Sequence, residues 1–270
     1  MPEGHTIHRY ARNHRADLGD GPLRVTSPQG RFNAGAKRLD GSSLEDVEAV
    51  GKHLLYHWSS GEILHVHLGL FGKFHAFRGP TEPTPTDGTR LALANDDVTI
   101  FLAGPTACDL VTPEEADAIR AKLGPDPLAP GQKKKAIARF SEAVGRRKVP
   151  LGAVLLDQSV IAGIGNVFRA EVPYLAGIDP NRSARDTSDD ERRELWDLAT
   201  RELKRGLGSG RIATVDPAEV GATRRSQLDD DTRVYVYRRG GMPCHRCGTE
   251  IRQTEIANRK TWWCPTCQPS

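Results

Sequence analysis

The sequence predicts an α+β fold in three successive parts: a β-rich half, a helical segment and a cysteine-rich module. In the first hundred or so residues, "ILHVHLGL" and "LALANDDVTIFLAG" alternate apolar and polar residues, as strands with one buried face do. From about residue 112 the pattern becomes helical. Four of the five cysteines then stand at the end of the chain.

The β-rich half begins with a short helix. Apolar and aromatic residues recur at helical spacing after the N-terminus, namely Ile7, Tyr10, Ala11, His14 and Leu18. The segment "LALANDDVTIFLAG" predicts a hairpin that turns at residues 95–97. "RGPTEPTPTDGTR", rich in proline, glycine and threonine, predicts a surface loop. This half is therefore expected to be a set of strands preceded by one amphipathic helix.

Two capping boxes mark helices further along the chain. Thr112 with Glu115, and Ser188 with Glu191, place a hydroxyl and a carboxylate three residues apart, as a helix N-terminus requires. The second box opens a long helix that is predicted to end at Gly206. These signals define the helical part of the chain.

The segment "QSVIAGIGN" joins two shorter helical pieces, about 150–157 and 165–176. Gly163 and Gly165 permit a tight turn with positive φ. Asn166 is then expected at the N-terminus of the following helix. It has two compatible interpretations there: an ordinary N-cap, and part of an anion site formed with free backbone N–H groups.

Composition and charge distribution favour a phosphate-bearing partner. The chain has 270 residues, a net charge of +3 and a mean hydropathy of −0.51. It has no apolar run near the roughly 18 residues of a membrane span and no apolar signal-peptide core, so we expect a cytoplasmic protein without a membrane partner. Residues 131–150 hold seven basic residues and one acidic residue, and residues 233–260 hold seven and two. Such local basic excesses favour phosphate binding over an ordinary solvated surface.

The C-terminal cysteines form two C-x-x-C pairs, "CHRC" and "CPTC", separated by sixteen residues. This spacing is typical of a four-cysteine zinc site, and the segment between the pairs predicts a hairpin. Two disulfides are the alternative, which the lack of a secretory signal disfavours. Arg259 is expected at the hairpin tip, either solvated or in contact with a phosphate or groove. We predict one structural Zn²⁺, bound by Cys244, Cys247, Cys264 and Cys267.

Five segments, spread over nearly the whole chain, carry a resemblance to a known family: "PEGHTIHR", "VGKHLLYHW", "HVHLGLFGKF", "PLGAVLLDQSVIAGIGNVFRAEVPYLAGIDP" and "NRKTWWCPTCQ". Together they resemble the formamidopyrimidine-DNA glycosylase/endonuclease VIII family of DNA repair enzymes. The "PEG" opening and the "LLDQ" segment are closer to the endonuclease VIII branch.

The resemblance implies three domains: an N-terminal β-sandwich with flanking helices (1–124), a helical domain with a helix–two-turns–helix DNA-binding motif (125–232) and a zinc-finger hairpin (233–270). It implies a bifunctional DNA glycosylase/AP lyase of base excision repair that excises oxidised bases, here expected to be pyrimidines, from damaged double-stranded DNA. The strand is nicked by β,δ-elimination through a Schiff base on the N-terminal proline. We expect a monomer, and single-stranded and bubble DNA are further candidate substrates.

Removal of Met1 leaves Pro2 as a free amine beside Glu3, and the resemblance implies that this amine is the nucleophile. An amine must be neutral to attack. At pH 7 a terminal amine with a pKa of about 7.7 is neutral roughly one time in six, and a lysine with a pKa of about 10.4 roughly once in 2,500. Pro2 is therefore favoured over Lys52, which is expected to hold a phosphate or stabilise the leaving base. Glu3 is expected to transfer protons.

The resemblance also implies DNA contacts. Asn166 and Arg259 are expected to bind phosphates near the lesion. Leu70 and Phe71 stand side by side before Gly72 on a predicted turn, and are candidates to fill the gap that an extruded base leaves in the stack. Ordinary core residues are the alternative for this pair.

Two departures from the family pattern motivate alternatives to an enzyme. Thr6 stands where the family usually carries a second glutamate, and "GPTACDLVT" holds neither the Arg nor the Phe that the formamidopyrimidine branch places in this region. One alternative is a non-catalytic damaged-DNA-binding homologue of the same fold, and another is a zinc-ribbon protein unrelated to DNA damage.

His65 and His67 share one face of a predicted strand. A pair of histidines on one face can bind a metal, but the sequence shows no carboxylate or third ligand nearby. We therefore expect a packed or DNA-facing surface at this position.

Overall fold

The computed structural model describes residues 2–79, 83–131 and 133–269. Met1 lies outside these ranges, and so do residues 80–82, which belong to the predicted proline-rich loop. The chain divides into two compact units, residues 1–122 and 123–270. The predicted α+β order is confirmed, with sheets first, helices next and a cysteine-rich hairpin at the end. The division into three domains stays a prediction.

Two four-stranded antiparallel sheets form most of the first unit. One sheet has the strand order β1-β6-β7-β5 and the other has the order β2-β3-β4-β8. The strands are β1 (Arg24–Thr26), β2 (Leu44–Val50), β3 (His53–Trp58), β4 (Ile63–His67), β5 (Lys73–Arg78), β6 (Thr89–Ala94), β7 (Val98–Ala103) and β8 (Ala107–Val111).

Three helices accompany the sheets: α1 (Gly4–Leu18), α2 (Asn33–Leu39) and α3 (Pro113–Ala121). Helix α1 presents Ile7, Ala11 and Leu18 to a core that both sheets share. The capping box at Thr112 and Glu115 is present and begins α3. The expected helix after the N-terminus and the predicted β-sandwich with flanking helices are thus both observed.

The predicted hairpin is formed by β6 and β7, which pair antiparallel. Its turn is held by Asn95, whose Oδ1 accepts hydrogen bonds from the backbone N–H groups of Asp97 (3.0 Å) and Val98 (2.8 Å). Such a side-chain bond replaces a backbone turn bond, which explains why the sequence predicted this turn correctly.

Helices and a small hairpin form the second unit. Its helices are α4 (Lys133–Gly145), α5 (Leu151–Val154), α6 (Phe168–Leu175) and α7 (Asp189–Ser209), and its strands are β9 (Arg252–Ile256) and β10 (Arg259–Trp263). The second capping box begins α7, which continues three residues beyond the predicted end to a left-handed Gly210 with φ of +76°. In the described part of the chain, no helix combines the length and apolar character needed to cross a membrane.

Candidate functional site

The N-terminal residues are held at the start of a rigid helix. Glu3 is the N-cap of α1 in an extended conformation, and its carbonyl oxygen accepts hydrogen bonds from the N–H groups of Thr6 (2.9 Å) and Ile7 (3.3 Å). The Glu3 side chain is fully buried, and Pro2 is half-buried. A carboxylate at a helix N-terminus is stabilised by the helix dipole. The structure thus positions Pro2 and Glu3 together, in a place that excludes bulk water from the carboxylate.

Thr6 takes part in a hydrogen bond instead of supplying a second carboxylate. Its Oγ1 and the Nε2 of His5 lie 3.1 Å apart. Burial lowers the pKa of His5 to about 4, so this imidazole is neutral at pH 7. The first turn of α1 contains no acidic residue. Glu3 is therefore the carboxylate available at this helix start.

Lys52 lies in the two-residue turn that joins β2 to β3. It is half-buried, and its neighbour Gly51 has φ of +58°, a conformation that favours glycine. Helix α1 packs against β2, the strand that leads into this turn. The three predicted catalytic residues are consequently all held by the first unit.

The turn between β4 and β5 carries the two large apolar residues that the sequence singled out. Leu70 is 50% exposed and Phe71 is 85% exposed, so the core interpretation is wrong for both. A Cβ atom at Gly72 would lie 2.3 Å from the carbonyl oxygen of Leu68, which accounts for the glycine that follows the pair. Two adjacent apolar side chains in water, on a turn that tolerates little change, suit insertion into a partner.

The four predicted zinc ligands come together at the end of the second unit. All four Sγ atoms lie within 4.8 Å of one another, and three of the separations are 3.8, 3.4 and 3.6 Å. A tetrahedral zinc ion with Zn–S bonds of about 2.3 Å has ligand–ligand edges of about 3.8 Å. The sulfur positions therefore fit one structural Zn²⁺, bound by Cys244, Cys247, Cys264 and Cys267.

Side chains outside the cysteine motif hold the zinc site in place. The Tyr174 hydroxyl lies 3.2 Å from the Sγ of Cys244. The buried amide of Gln268 accepts from the Cys264 N–H (3.0 Å) and donates to the Ile178 carbonyl (2.8 Å). Such contacts orient metal ligands and join the zinc finger to the helices of the same unit.

The hairpin tip lies slightly before the position that the sequence predicted. Ala257 and Asn258 form the tip, with φ of +52° and +56°, and Arg259 is the first residue of β10, where it pairs with Ile256. The Arg259 side chain is exposed. It stands next to the tip and remains available to an external anion.

Asn166 precedes the helix instead of capping it. The N-cap of α6 is Val167, so the N-cap interpretation of Asn166 is wrong. Asn166 is only 8% exposed, and its Nδ2 donates to the Lys260 carbonyl oxygen at 3.3 Å. Its Oδ1 has no hydrogen-bond partner among the described residues. The structure thus brings Asn166 beside the strand that carries Arg259.

Arg169, which the sequence did not single out, explains this juxtaposition. Its side chain is fully buried and donates to four backbone carbonyl oxygens at 3.0–3.3 Å, those of Gly152, Ile256, Arg259 and Lys260. A buried guanidinium whose two terminal nitrogens donate to several backbone carbonyls fixes the backbone around it. The signal in the sequence was an arginine inside the apolar helix "VFRAEVPYL".

Three family models match the chain in succession. They are the formamidopyrimidine-DNA glycosylase N-terminal domain over residues 1–104, the formamidopyrimidine-DNA glycosylase H2TH domain over 123–217, and the zinc finger found in FPG and IleRS over 241–269. They match most of the sheet unit, the four helices α4 to α7 and the cysteine hairpin, in the order in which the fold presents them.

Curated relatives match over nearly the full length. Endonuclease 8 1 of Mycobacterium tuberculosis is 41% identical over 272 residues, covering 99% of this chain and 100% of the relative. The chain belongs to the formamidopyrimidine-DNA glycosylase/endonuclease 8 family. Endonuclease 8 of Escherichia coli is 31% identical over 279 residues, with 99% and 100% covered. The predicted resemblance to the endonuclease VIII branch is thereby confirmed.

Solved structures of this family share the fold. A Lactococcus lactis Fpg in complex with DNA that contains an abasic site superposes with a TM-score of 0.80 at 22% identity, covering 99% of this chain and 100% of that chain. A second complex, with DNA containing Fapy-dG, gives a TM-score of 0.78 at 22% identity, over 98% and 99%. Membership of the family and the zinc site are thus established, whereas the roles of the individual residues stay predictions.

Proposed function

We infer that this family member is a DNA glycosylase and AP lyase of base excision repair, and we propose that Pro2 is its nucleophile. The observation that carries the proposal is the buried Glu3 carboxylate, held at the start of α1 next to Pro2, in a chain 41% identical to an endonuclease 8 over its whole length. An amine and a carboxylate in fixed proximity are the groups that amine-catalysed base removal requires.

The proposed reaction begins with attack of the neutral Pro2 nitrogen on C1′ of the damaged nucleotide, and the base leaves. The Glu3 carboxylate takes the proton that the Pro2 nitrogen releases and delivers it to the sugar ring oxygen, so that the ring opens and an iminium joins Pro2 to C1′. The iminium acidifies C2′, whose proton is lost, and the 3′ phosphate leaves by β-elimination. A δ-elimination then releases the 5′ phosphate. Oxidised pyrimidines are the proposed substrates.

The DNA contacts follow from exposure and hydrogen-bonding capacity. Arg259 is exposed beside the hairpin tip, and Asn166, whose amide donates to the Lys260 carbonyl, is proposed to use its second N–H for a phosphate oxygen. Lys52 is proposed to bind a phosphate or stabilise the leaving base. Leu70 and Phe71 are proposed to fill the space that the extruded base leaves.

Reductive trapping tests the proposal. Incubation with borohydride and a duplex that contains an abasic site or 5-hydroxyuracil should yield a covalent enzyme–DNA adduct, and the unreduced reaction should yield a nicked strand. Mass spectrometry of the trapped peptide should place the adduct on Pro2. Binding without an adduct or a nick would instead support the non-catalytic homologue.

Arg259→Ala should reduce the salt dependence of DNA binding. Each phosphate contact contributes about −0.9 to the slope of log K against log salt, so the loss of one contact should lower the slope by about one unit. Binding to a lesion duplex at several salt concentrations measures the slope. Arg252→Ala, on the neighbouring strand β9, is the control and should leave it unchanged. An unchanged slope in Arg259→Ala removes this residue from the phosphate contacts.

Phe71→Ala should weaken base extrusion without affecting the fold. The side chain is almost fully exposed, so its loss leaves no cavity and the melting temperature should change little. Loss of stacking worth about 1–3 kcal/mol should lower excision from duplex DNA by roughly 5- to 160-fold. Cleavage of single-stranded DNA with an abasic site, which needs less unstacking, should be affected less. Equal loss on both substrates contradicts the wedge role.

A further inference from the structure

The chain between α7 and the first cysteine pair folds against the zinc-binding cysteines. We define the connecting segment as residues 213–228, which include two short 3₁₀ turns. Val215 and Leu228 of this segment are buried. They belong to the same apolar cluster as the zinc ligands Cys244 and Cys264. The connecting segment and the zinc site therefore share one core.

Arg246 stands inside the first cysteine pair, and its guanidinium lies over two aromatic rings. The rings of Tyr174 and Tyr235 are stacked, with centroids 4.6 Å apart and an angle of 25° between their planes. The Cζ of Arg246 is 4.6 Å from the ring centroid of Tyr235 and 5.2 Å from that of Tyr174. A guanidinium at such a distance is attracted to the face of the ring. Three side chains from different parts of the sequence thus form one stack.

The hydroxyl groups of this stack contact both the zinc site and the connecting segment. The Tyr174 hydroxyl lies 3.2 Å from the Sγ of Cys244, and it is the donor when the cysteine binds zinc as a thiolate. The Tyr235 hydroxyl accepts from the backbone N–H of Asp216 at 3.0 Å and from the Nη2 of Arg246 at 3.3 Å. A continuous set of contacts therefore joins a zinc ligand to the connecting segment.

Glu219 adds a second contact from the connecting segment to the stack. Its two carboxylate oxygens lie 3.1 and 3.3 Å from the Nε of Arg246. The side chains are 38% exposed for Arg246 and 31% exposed for Glu219. A partly exposed ion pair contributes little where both side chains must first be ordered. Here the two tyrosine rings already restrict Arg246, so less conformational entropy is lost when Glu219 binds it.

The connecting segment is also bonded within itself. The Nη1 of Arg225 donates to the carbonyl oxygens of Ala213 at 3.0 Å and Val215 at 2.5 Å. The Oε1 of Gln227 accepts from the backbone N–H of Arg224 at 3.0 Å. These bonds join the two ends of the segment, so we expect it to open as one cooperative unit.

We propose that the Glu219–Arg246 ion pair couples the folding of the connecting segment to zinc binding, so that the folded segment raises the affinity of the four cysteines for zinc. Such a coupling is reciprocal at equilibrium: zinc stabilises the folded segment by the same factor by which the folded segment strengthens zinc binding. The zinc site then stabilises part of the chain outside its own hairpin. This coupling does not depend on DNA or on the proposed lyase chemistry.

Competition with a zinc chelator of known affinity tests the coupling in the purified, zinc-loaded protein. Glu219→Gln removes the charge, keeps the size of the side chain and lies outside the cysteine motif. It should lower zinc affinity by roughly 1.5- to 5-fold, the range that a partly exposed ion pair contributes. Glu250→Gln, an exposed glutamate of the zinc finger, is the matched control and should bind zinc like the wild type.

A double variant separates the coupling from a direct effect on the cysteines. Arg246→Met keeps an unbranched side chain but loses the charge, so it should lower zinc affinity at least as much as Glu219→Gln. In the Arg246→Met background, Glu219→Gln should have no further effect, because the carboxylate has lost its partner. Trypsin cleavage after the exposed Arg224 measures opening of the segment. With zinc still bound, cleavage should be faster in Glu219→Gln by about the factor by which its zinc affinity falls.

Two results would overturn the proposal: wild-type zinc affinity in Glu219→Gln, or the same effect of Glu219→Gln with and without Arg246. If Arg246→Met cannot be purified with zinc, Tyr235→Phe takes its place, because it removes the hydroxyl that accepts from Arg246 and Asp216. Wild-type zinc affinity and wild-type cleavage in Tyr235→Phe would then contradict the coupling. No measurement here uses DNA, so a negative result leaves the outcome of borohydride trapping unaffected.

Discussion

An N-terminal extension that makes Pro2 an internal residue should lower both borohydride trapping and strand cleavage by at least about two orders of magnitude. An amide nitrogen is not a nucleophile, so the reaction would depend on a lysine such as Lys52. At pH 7 a lysine amine is neutral about 400-fold less often than a terminal amine, from pKa values of about 10.4 and 7.7. Cleavage of abasic-site DNA under single-turnover conditions measures the loss.

The control for this experiment is the same protein after removal of the extension. A protease site placed so that cleavage leaves Pro2 as the first residue should restore trapping in the same preparation, which rules out misfolding as the cause. DNA binding should be changed far less than catalysis, because Arg259 and Asn166 belong to the second unit. Full trapping by the uncleaved protein would assign the nucleophile to another residue.

Local signals in the sequence predicted much of the fold. The two capping boxes, the hairpin turn at Asn95 and the paired cysteines each depend on residues close together in the chain, and each is present in the structure. The exact ends of elements were less predictable, because Gly206 continues α7 where Gly210 ends it. A glycine favours a helix C-terminus, but the packing around it decides whether the helix ends there.

Long-range placement could not be predicted in the same way. His53 meets His65 only because β3 and β4 pair in one register, and a shift by a single residue would put it on the core face. The exposure of Leu70 and Phe71 also depends on where the β4–β5 turn lies. The resemblance to a family named Leu70 and Phe71 as candidates, and the structure adds the exposure of their side chains.

Arg169 is not proposed to contact DNA, but it supports two residues that are, Arg259 and Asn166. Its guanidinium bonds to the carbonyl oxygens of Ile256, Arg259 and Lys260, and Lys260 also accepts from Asn166. Removing it takes one donor from each of these carbonyls, although Lys260 keeps its bond from Asn166, at about 1–3 kcal/mol for each group that water cannot reach. Arg169→Leu should therefore lower the free energy of unfolding by about 3 kcal/mol or more, as measured by denaturant titration.

The same variant should separate DNA affinity from chemistry. Arg169→Leu should weaken binding to a lesion duplex by at least about tenfold, because Arg259 and Asn166 lose their common support. Zinc content should remain at one ion per chain, since none of the four cysteines bonds to Arg169 among the contacts above. Trapping at saturating DNA should persist, because Pro2 and Glu3 lie in the other unit.

Arg252→Leu, an exposed arginine on the same hairpin, is the matched control and should change neither stability nor affinity. If Arg169→Leu binds DNA like the wild type, the hairpin tip does not need this arginine. The inference that Arg169 supports DNA binding by Arg259 and Asn166 is then wrong.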